Sequence, residues 1–247
     1  MNFPLLSIIK RGIVTQSEMF PDLPAEATGL PGITNAPCRG DSCQKCSKLC
    51  PTGAITVSGG IVKLDRGICI GCNLCVDNCP AGTISHDRST KTAALAREDL
   101  ILTSEAKIKT TREQKKFPFL RSLHIREVST GDNIADLETT AASNPIFDMS
   151  RFGAQVVASP RFADALLVTG PVGKAMQEPL RRCYDAMAEP RLVIAAGVSA
   201  ISGGLFGGGY AKANGVNDIL PVSCYIPGDP PHPWSIIYGV LLLMGRI

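Results

Sequence analysis

Cys38-Arg-Gly-Asp-Ser-Cys43-Gln-Lys-Cys46-Ser-Lys-Leu-Cys50-Pro51 and Cys69-Ile-Gly-Cys72-Asn-Leu-Cys75-Val-Asp-Asn-Cys79-Pro80 are two copies of one pattern. Cys43, Cys46, Cys50, Pro51, Gly53 and Ile55 recur 29 residues later as Cys72, Cys75, Cys79, Pro80, Gly82 and Ile84. One small unit is therefore present twice, and pseudo-symmetry is the economical expectation. Eight of the 10 cysteines fall in this window, and only Cys183 and Cys224 lie outside it. The N-terminus shows no small-residue cleavage site of a secretory signal, so such crowding points to metal binding rather than disulfides.

The second copy has the spacing with which bacterial-type ferredoxins hold cubane iron–sulfur clusters. Close spacing lets three thiolates wrap one face of a cluster, and the proline turns the chain after the fourth. That fourth cysteine reaches the other cluster, so the motifs interlock. Two 4Fe–4S clusters are expected: one on Cys38, Cys43, Cys46 and Cys79, the other on Cys69, Cys72, Cys75 and Cys50. A structural zinc site would account for one tetrad, not for two interlocked runs each ending in Cys-Pro. Cys38 departs from the pattern, because four residues separate it from Cys43 where two are usual. A three-iron cluster there stays open. Clusters of this type pass single electrons, so the chain is expected to be an electron-transfer subunit without a catalytic residue of its own.

Outward from the repeats the texture changes. Leu5, Leu6, Ile8, Ile9, Ile13 and Val14, with Lys10 and Arg11 among them, predict a short amphipathic helix within 2–15. It would pack on its own domain, or on a partner or membrane surface. A Pro- and Gly-rich extended arm completes residues 1–37. The ferredoxin domain, α+β in class, is expected over 38–86. Residues 87–121, carrying Lys107, Lys109, Arg112, Lys115, Lys116 and Arg121 without an apolar period, are expected to form a basic linker. From 122 to 247 apolar strands alternate with helices. Ala165–Thr169, Leu192–Ala196 and Ile219–Ser223 read as buried parallel strands, and Val172–Met187 as a helix with Pro179 at a boundary. This alternation predicts a doubly wound, flavodoxin-like α/β domain, with function beyond the carboxyl ends of the strands.

Bulk properties exclude other classes. Of 247 residues, 45% are hydrophobic and 19% charged, as in globular proteins. A net charge of +3 is too small for a nucleic-acid partner. The longest apolar stretch, Ile236 to Met244, falls short of a membrane span. Gly203-Gly204 and Gly207-Gly208-Gly209 lack the Lys-Ser/Thr of a phosphate-binding loop and read as a loop at a partner interface. His86, His124 and His232 are scattered, and no acid–base pair stands out.

The second half carries a resemblance in ordered blocks: Ser122-Leu-His-Ile-Arg-Glu-Val-Ser-Thr-Gly131, Asn144-Pro145, Arg151-Phe-Gly153 and Val157-Ala-Ser-Pro-Arg161, then Ala163-Asp-Ala-Leu-Leu-Val-Thr-Gly-Pro171, Ser202-Gly-Gly204 and Tyr225-Ile-Pro-Gly228. Together they resemble the small, cluster-bearing subunit shared by respiratory complex I and the energy-converting nickel–iron hydrogenases, formate hydrogenlyase included. The ferredoxin region is similar to the neighbouring eight-iron subunit, so two adjacent subunits are expected to be fused here. The resemblance implies a third, proximal cluster held by four cysteines. At those positions this chain reads Thr130-Gly-Asp-Asn-Ile-Ala-Asp136, Gly197-Val-Ser-Ala200 and Ile226-Pro-Gly-Asp229-Pro-Pro231. All four thiolates are missing, and the proximal cluster is expected to be absent; a hard-metal site on Asp132, Asp136 and Asp229 is the alternative. Cys183 and Cys224, within a helix and a strand, are expected to be structural.

The resemblance further implies an electron-transfer subunit of a membrane-associated, complex I-like oxidoreductase, cytoplasmic and peripheral on the inner face of the cell membrane. Its partners would be a large hydrogenase-like or 49 kDa-like subunit, membrane subunits and an electron-donor protein. Two rival readings are a working small subunit of a formate hydrogenlyase-type hydrogenase, and an adaptor whose ferredoxin module is structural. Donor, acceptor, direction of flow, coupled ion and nickel in the partner stay open.

Overall fold

A computed structural model describes residues 7, 10–12, 17–105, 121–132 and 134–247. Most of the helix expected within 2–15 and most of the basic stretch beyond residue 105 lie outside the described residues.

The cysteine-rich half is built from short antiparallel pairs around two helical turns. Its elements are β1 (Leu30–Ile33), α1 (Lys45–Leu49), β2 (Ile55–Ser58), β3 (Ile61–Asp65), α2 (Leu74–Asp77), β4 (Ile84–Asp87) and β5 (Ile101–Thr103). β2 and β3 form a hairpin whose two-residue turn puts Gly59 and Gly60 at φ 57° and 82°. This left-handed pair matches the twist of the strands and favours glycine. β1 pairs with β4, which ties the start of the module to its end. Gly29, at φ +64°, lies so close to this seam that a Cβ there would sit 2.2 Å from the Asp87 carbonyl oxygen. The buried Arg66 staples the pair, donating to the Pro31 carbonyl at 3.2 and 3.1 Å and to the Asp87 carboxylate. Ala54, Ile55, Val62, Leu64 and Ile84 form the core beside the cysteines.

Two expectations change here. The arm expected to be merely extended contains β1, because Pro31 occupies a strand paired on one side only, where its missing N–H costs little. The described part of the expected linker is also structured. It holds the rest of β4, a 3₁₀ turn at Arg97–Leu100 and β5, which pairs with β3. Arg97 anchors that turn by donating to both carboxylate oxygens of Asp65, at 2.8 and 2.7 Å.

The second half comprises β6 (Leu123–Ser129), α3 (Ile134–Ala142), β7 (Ala154–Val156), β8 (Ala165–Thr169), α4 (Lys174–Asp185), β9 (Leu192–Ala196), α5 (Val198–Ser202), β10 (Cys224–Ile226) and α6 (Pro233–Leu243). The five strands form a parallel sheet in the order β7-β6-β8-β9-β10. Successive side chains of a strand point to opposite faces, and both faces are covered. Leu167, Ile194 and Ile226 meet Ala142 of α3 and Ile236, Ile237 and Val240 of α6. Leu166, Val168 and Val193 meet Leu180 of α4 and Ile201 of α5. Hence β8 and β9 are buried at every position, as near-continuous apolar runs in parallel sheets should be.

The strand expected at Ile219–Ser223 is displaced to Cys224–Ile226. Ile219 and Leu220 instead close a 3₁₀ turn on the Val216 carbonyl, both at 2.9 Å, and Pro221 cannot donate to a ladder. Pro179 lies inside α4 rather than at its boundary. It is the sixth of the helix's 12 residues, where its missing N–H forfeits one intrahelical bond.

The halves are joined by more than the chain. Ala94 and Tyr225 form an antiparallel bridge with N–H···O distances of 2.9 and 2.8 Å. Ser235 donates to the Thr90 carbonyl at 2.9 Å. Phe20, from the N-terminal arm, is buried in the α/β core, edge-on to Trp234 and Tyr238 with ring centroids 5.9 and 5.3 Å away.

Candidate cluster cages and a thiol-free crevice

Each cysteine run uses the same local device. The residue after Cys43, Gln44, and the residue after Cys72, Asn73, are left-handed at φ 44° and 58°. This reversal starts α1 and α2 and turns Cys46 and Cys75 inward. Asn73 is fixed there by donating to the Gly71 and Gly29 carbonyls at 2.9 and 3.1 Å.

The structure brings the eight cysteines together in two groups drawn from both runs. Cys38, Cys43, Cys46 and Cys79 line one cage, and Cys50, Cys69, Cys72 and Cys75 line the other. The irregular spacing before Cys43 is absorbed by a 3₁₀ turn over Gly40–Ser42, closed by a 3.1 Å bond from the Cys43 N–H to the Gly40 carbonyl. The Gly40 N–H in turn donates to Cys38 Sγ at 3.4 Å.

Electrostatics within the cages favour a bound positive group. Burial, with Cys50 and Cys72 nearby, pushes the Cys69 thiol up to about 11. Burial and the neighbouring Cys69, Cys50 and Cys72 push Cys75 up to about 12. Burial also raises Cys46, with Cys79 and Cys38 adding to it. Crowded thiols of this kind lose their protons when metal cations compensate the charge. Cys79 goes the other way: burial raises it, but the backbone N–H groups of Ile84, Ala81, Thr83 and Gly82 together outweigh burial and lower it. The matching Cys50 accepts from the Ala54 N–H at 3.2 Å. Each cage joins three cysteines of one run to the last cysteine of the other, the ligand arrangement of interlocked cubane clusters.

Beyond the carboxyl ends of the parallel strands lies a crevice lined by Asp132, Gly170, Gly197, Ser199, Gly228 and Asp229. Three of the positions read above as lacking thiolates therefore do meet. Asp136 does not join them. It accepts a hydrogen bond from the Thr169 hydroxyl and bonds to Glu127. The three-aspartate metal site is thus not assembled, since Asp136 has found other partners. Burial raises Asp229, and Asp132 adds to the effect. Glu127 is pushed up to about 7 by burial and by its contact with Asp136. The sequence reading missed this carboxyl pair, although a glutamate within the strand Leu123–Ser129 was its signal. Cys183 lies in α4, raised by burial. Cys224 lies in β10, fully buried, and donates to the Gly239 carbonyl at 3.5 Å. Neither lines the crevice.

Comparison with known proteins was informative for both halves. Residues 133–243 match the family described as NADH ubiquinone oxidoreductase, 20 Kd subunit, and residues 62–85 match the 4Fe-4S binding domain. An NADH-quinone oxidoreductase subunit of Carboxydothermus hydrogenoformans is 48% identical over 112 residues, covering 45% of this chain and 68% of that protein. Formate hydrogenlyase subunit 7 of Escherichia coli is 40% identical over 128 residues, covering 51% of this chain and 50% of that protein. This chain thus spans half the length of the hydrogenlyase subunit. A chain of the archaeal membrane-bound sulfane sulfur reductase aligns with TM-score 0.46 at 28% identity, over 51% of this chain and 70% of that one. On its identity with the Carboxydothermus subunit and the share of that protein it covers, the chain belongs to the family of the NADH ubiquinone oxidoreductase 20 Kd subunit.

Proposed function

We propose that this chain is an iron–sulfur electron-transfer subunit of a membrane-associated, complex I-like oxidoreductase related to the energy-converting hydrogenases. In this reading a ferredoxin-like module with two clusters is fused to a doubly wound 20 Kd-type domain. The observation that carries it is the sorting of eight cysteines into two interlocked four-thiol cages. Cys38, Cys43, Cys46 and Cys79 would hold one 4Fe–4S cluster and Cys50, Cys69, Cys72 and Cys75 the other; when bound, such clusters supply one-electron transfer.

The chain's own residues set the conditions for it. Backbone N–H groups aimed at Cys79, Cys50 and Cys38 stabilise thiolate charge, which in this class of site tunes the potential. Ile55, Val62, Leu64 and Ile84 pack against the cysteines and exclude water. The crevice of the α/β domain offers Asp132, Ser199 and Asp229, oxygen donors unsuited to a cubane. We read the proximal cluster as absent.

The α/β domain would dock on a large hydrogenase-like or 49 kDa-like subunit and on membrane subunits, with a separate donor protein supplying electrons. Among the described residues no helix is long and apolar enough to cross a membrane. Attachment to the inner face of the cell membrane would then run through those partners. Iron analysis of the reconstituted chain tests the reading: about eight irons are expected, the sum of two cubanes. About twelve irons with three separable paramagnetic signals would contradict it.

A further inference from the structure

Asp132, Ser199 and Asp229 line one crevice beyond the carboxyl ends of the parallel strands. The backbone fixes each of them there. Asp132 follows β6, and its carboxylate accepts from the Ile134 N–H at 3.3 Å. Ser199 is the second residue of α5, and Asp229 lies in the loop after β10. The Val198 N–H donates to the Gly228 carbonyl at 3.0 Å and the Gly197 N–H to the Ile226 carbonyl at 2.9 Å. The segments bearing Ser199 and Asp229 are thereby pinned together. Asp132 is near enough for its charge to act on Asp229.

Two carboxylates facing one space do not make a ligand site, since one can take up a proton and donate it to the other. Ser199 is the independent sign. It is only 8% exposed, yet its hydroxyl bonds to none of the described residues. Nor is that hydroxyl sealed within the protein: it keeps accessible surface, and the crevice is the space that Ser199 lines. A buried hydroxyl is rarely left without a partner. The crevice has a volume of about 10 Å³, which suits one species of the size of a water molecule and excludes an organic ligand. Among the described residues no lysine or arginine lines it, so the two carboxylates lack a countercharge from this chain.

We propose that the crevice binds one hard divalent cation of the size of Mg²⁺ or Mn²⁺. The Asp132 and Asp229 carboxylates and the Ser199 hydroxyl hold it, and water completes its coordination. An all-oxygen donor set selects such ions over those that prefer thiolate or imidazole. One or two carboxylates with several retained waters are the usual protein share for Mg²⁺, whereas Ca²⁺ takes six to eight oxygens at longer distances. The ion occupies the place of the proximal cluster and ties together the ends of β6, β9 and β10. Asp136, engaged with Thr169 and Glu127, takes no part. The site goes beyond the electron-transfer reading and does not depend on it.

The test titrates the reconstituted full chain, freed of loose metal by a chelator, with Mn²⁺. Loss of the free-ion paramagnetic signal reports binding, and unchanged Trp234 emission shows that a variant has kept its fold. One tight Mn²⁺ per chain is expected, displaced by Mg²⁺ and about tenfold less readily by Ca²⁺. Asp132→Asn and Asp229→Asn should each weaken Mn²⁺ about tenfold, and Ser199→Ala about threefold. Glu138→Gln, which removes a carboxylate from the separate cavity between the two halves, should leave binding unchanged. Mn²⁺ should also raise the thermal midpoint of the parent chain but not that of Asp229→Asn. Absence of tight Mn²⁺ overturns the site, as does binding that ignores all three substitutions or that Glu138→Gln weakens as much. Eight irons without tight Mn²⁺ would leave the proposed function standing and remove the site; tight Mn²⁺ on a chain that holds no iron would do the reverse.

Discussion

At the scale of single residues, the interlocking of the cages makes two cysteines diagnostic. Cys50 ends the first run but lines the cage of the second, and Cys79 does the reverse. Cys79→Ala should therefore remove the cluster expected on Cys38, Cys43 and Cys46, and Cys50→Ala the one expected on Cys69, Cys72 and Cys75. Each should also lower overall stability, because ligation and folding are coupled. Iron content and the surviving paramagnetic signal check this; loss of the cluster in the cysteine's own run would refute the crossing. Glu127 offers a second residue-scale test. Its folded-state value, about 7, lies above the ordinary 4.5. Between those values the native state holds a proton that the unfolded chain has released, so this group makes stability fall as pH rises from about 4.5 to about 7. Glu127→Gln should flatten that part of the profile relative to the parent protein, as read from urea midpoints at several pH values. An unchanged slope would show that Glu127 does not titrate there.

At the scale of elements, the β1–β4 pair closes the cysteine-rich half and Arg66 is its fastener. The guanidinium is 8% exposed and the Asp87 side chain 33%, so solvent screens the pair on one side only. Arg66→Leu would leave the Pro31 carbonyl and the Asp87 carboxylate without their donor. A cost of about 2 kcal/mol is expected, at or below the low end for a broken buried pair. Adding Asp87→Leu should recover only part of it: no carboxylate is left unpaired, but the Pro31 carbonyl stays without its donor and the Ser89 N–H, which donates to Asp87 Oδ1 at 2.9 Å, loses its acceptor. Urea unfolding of the reconstituted variants measures both, and a loss below about 0.5 kcal/mol for Arg66→Leu would class the pair with ordinary surface contacts. Elements also show where local pattern was legible. Ala165–Thr169 and Leu192–Ala196 are strands with the expected bounds, because burial on both faces writes an unbroken apolar run. Ile219–Ser223 looked equally apolar, but Pro221 diverted the ladder to Cys224–Ile226.

At the scale of the whole molecule, Phe20 couples the two halves. It lies against Trp234, the chain's single tryptophan, which also meets Phe147 and Phe152. Phe20→Ala should cost about 3 kcal/mol, the usual loss for a buried aromatic truncated to alanine. It should also shift Trp234 emission to the red as water reaches the ring. Thermal unfolding followed by fluorescence checks both, and a variant as stable as the parent would show that the arm is not part of this core.

The sequence by itself determined what depends on near neighbours along the chain. Cysteine spacing brings three thiols of each set together, Cys38, Cys43 and Cys46 or Cys69, Cys72 and Cys75, since a few residues of tight backbone leave little choice of geometry; the fourth comes from the other run. The apolar runs of β8 and β9 are likewise local. The tertiary structure alone decided which distant segments meet. Residues 90–95 looked like the start of a linker because Ala93, Ala94 and Leu95 are too few and too small to form a periodic signal. They nevertheless pack on the α/β core and bond to Tyr225. The inter-domain cavity draws its walls from the N-terminal arm, the second cysteine run, the stretch after β4, α3 and the loop after β10. Asp136 was equally undetermined: it could have joined Asp132 and Asp229, until the register of β6 and β8 put Glu127 and Thr169 beside it. Contacts of this kind are set by how sheet and helices pack, and no local period records them.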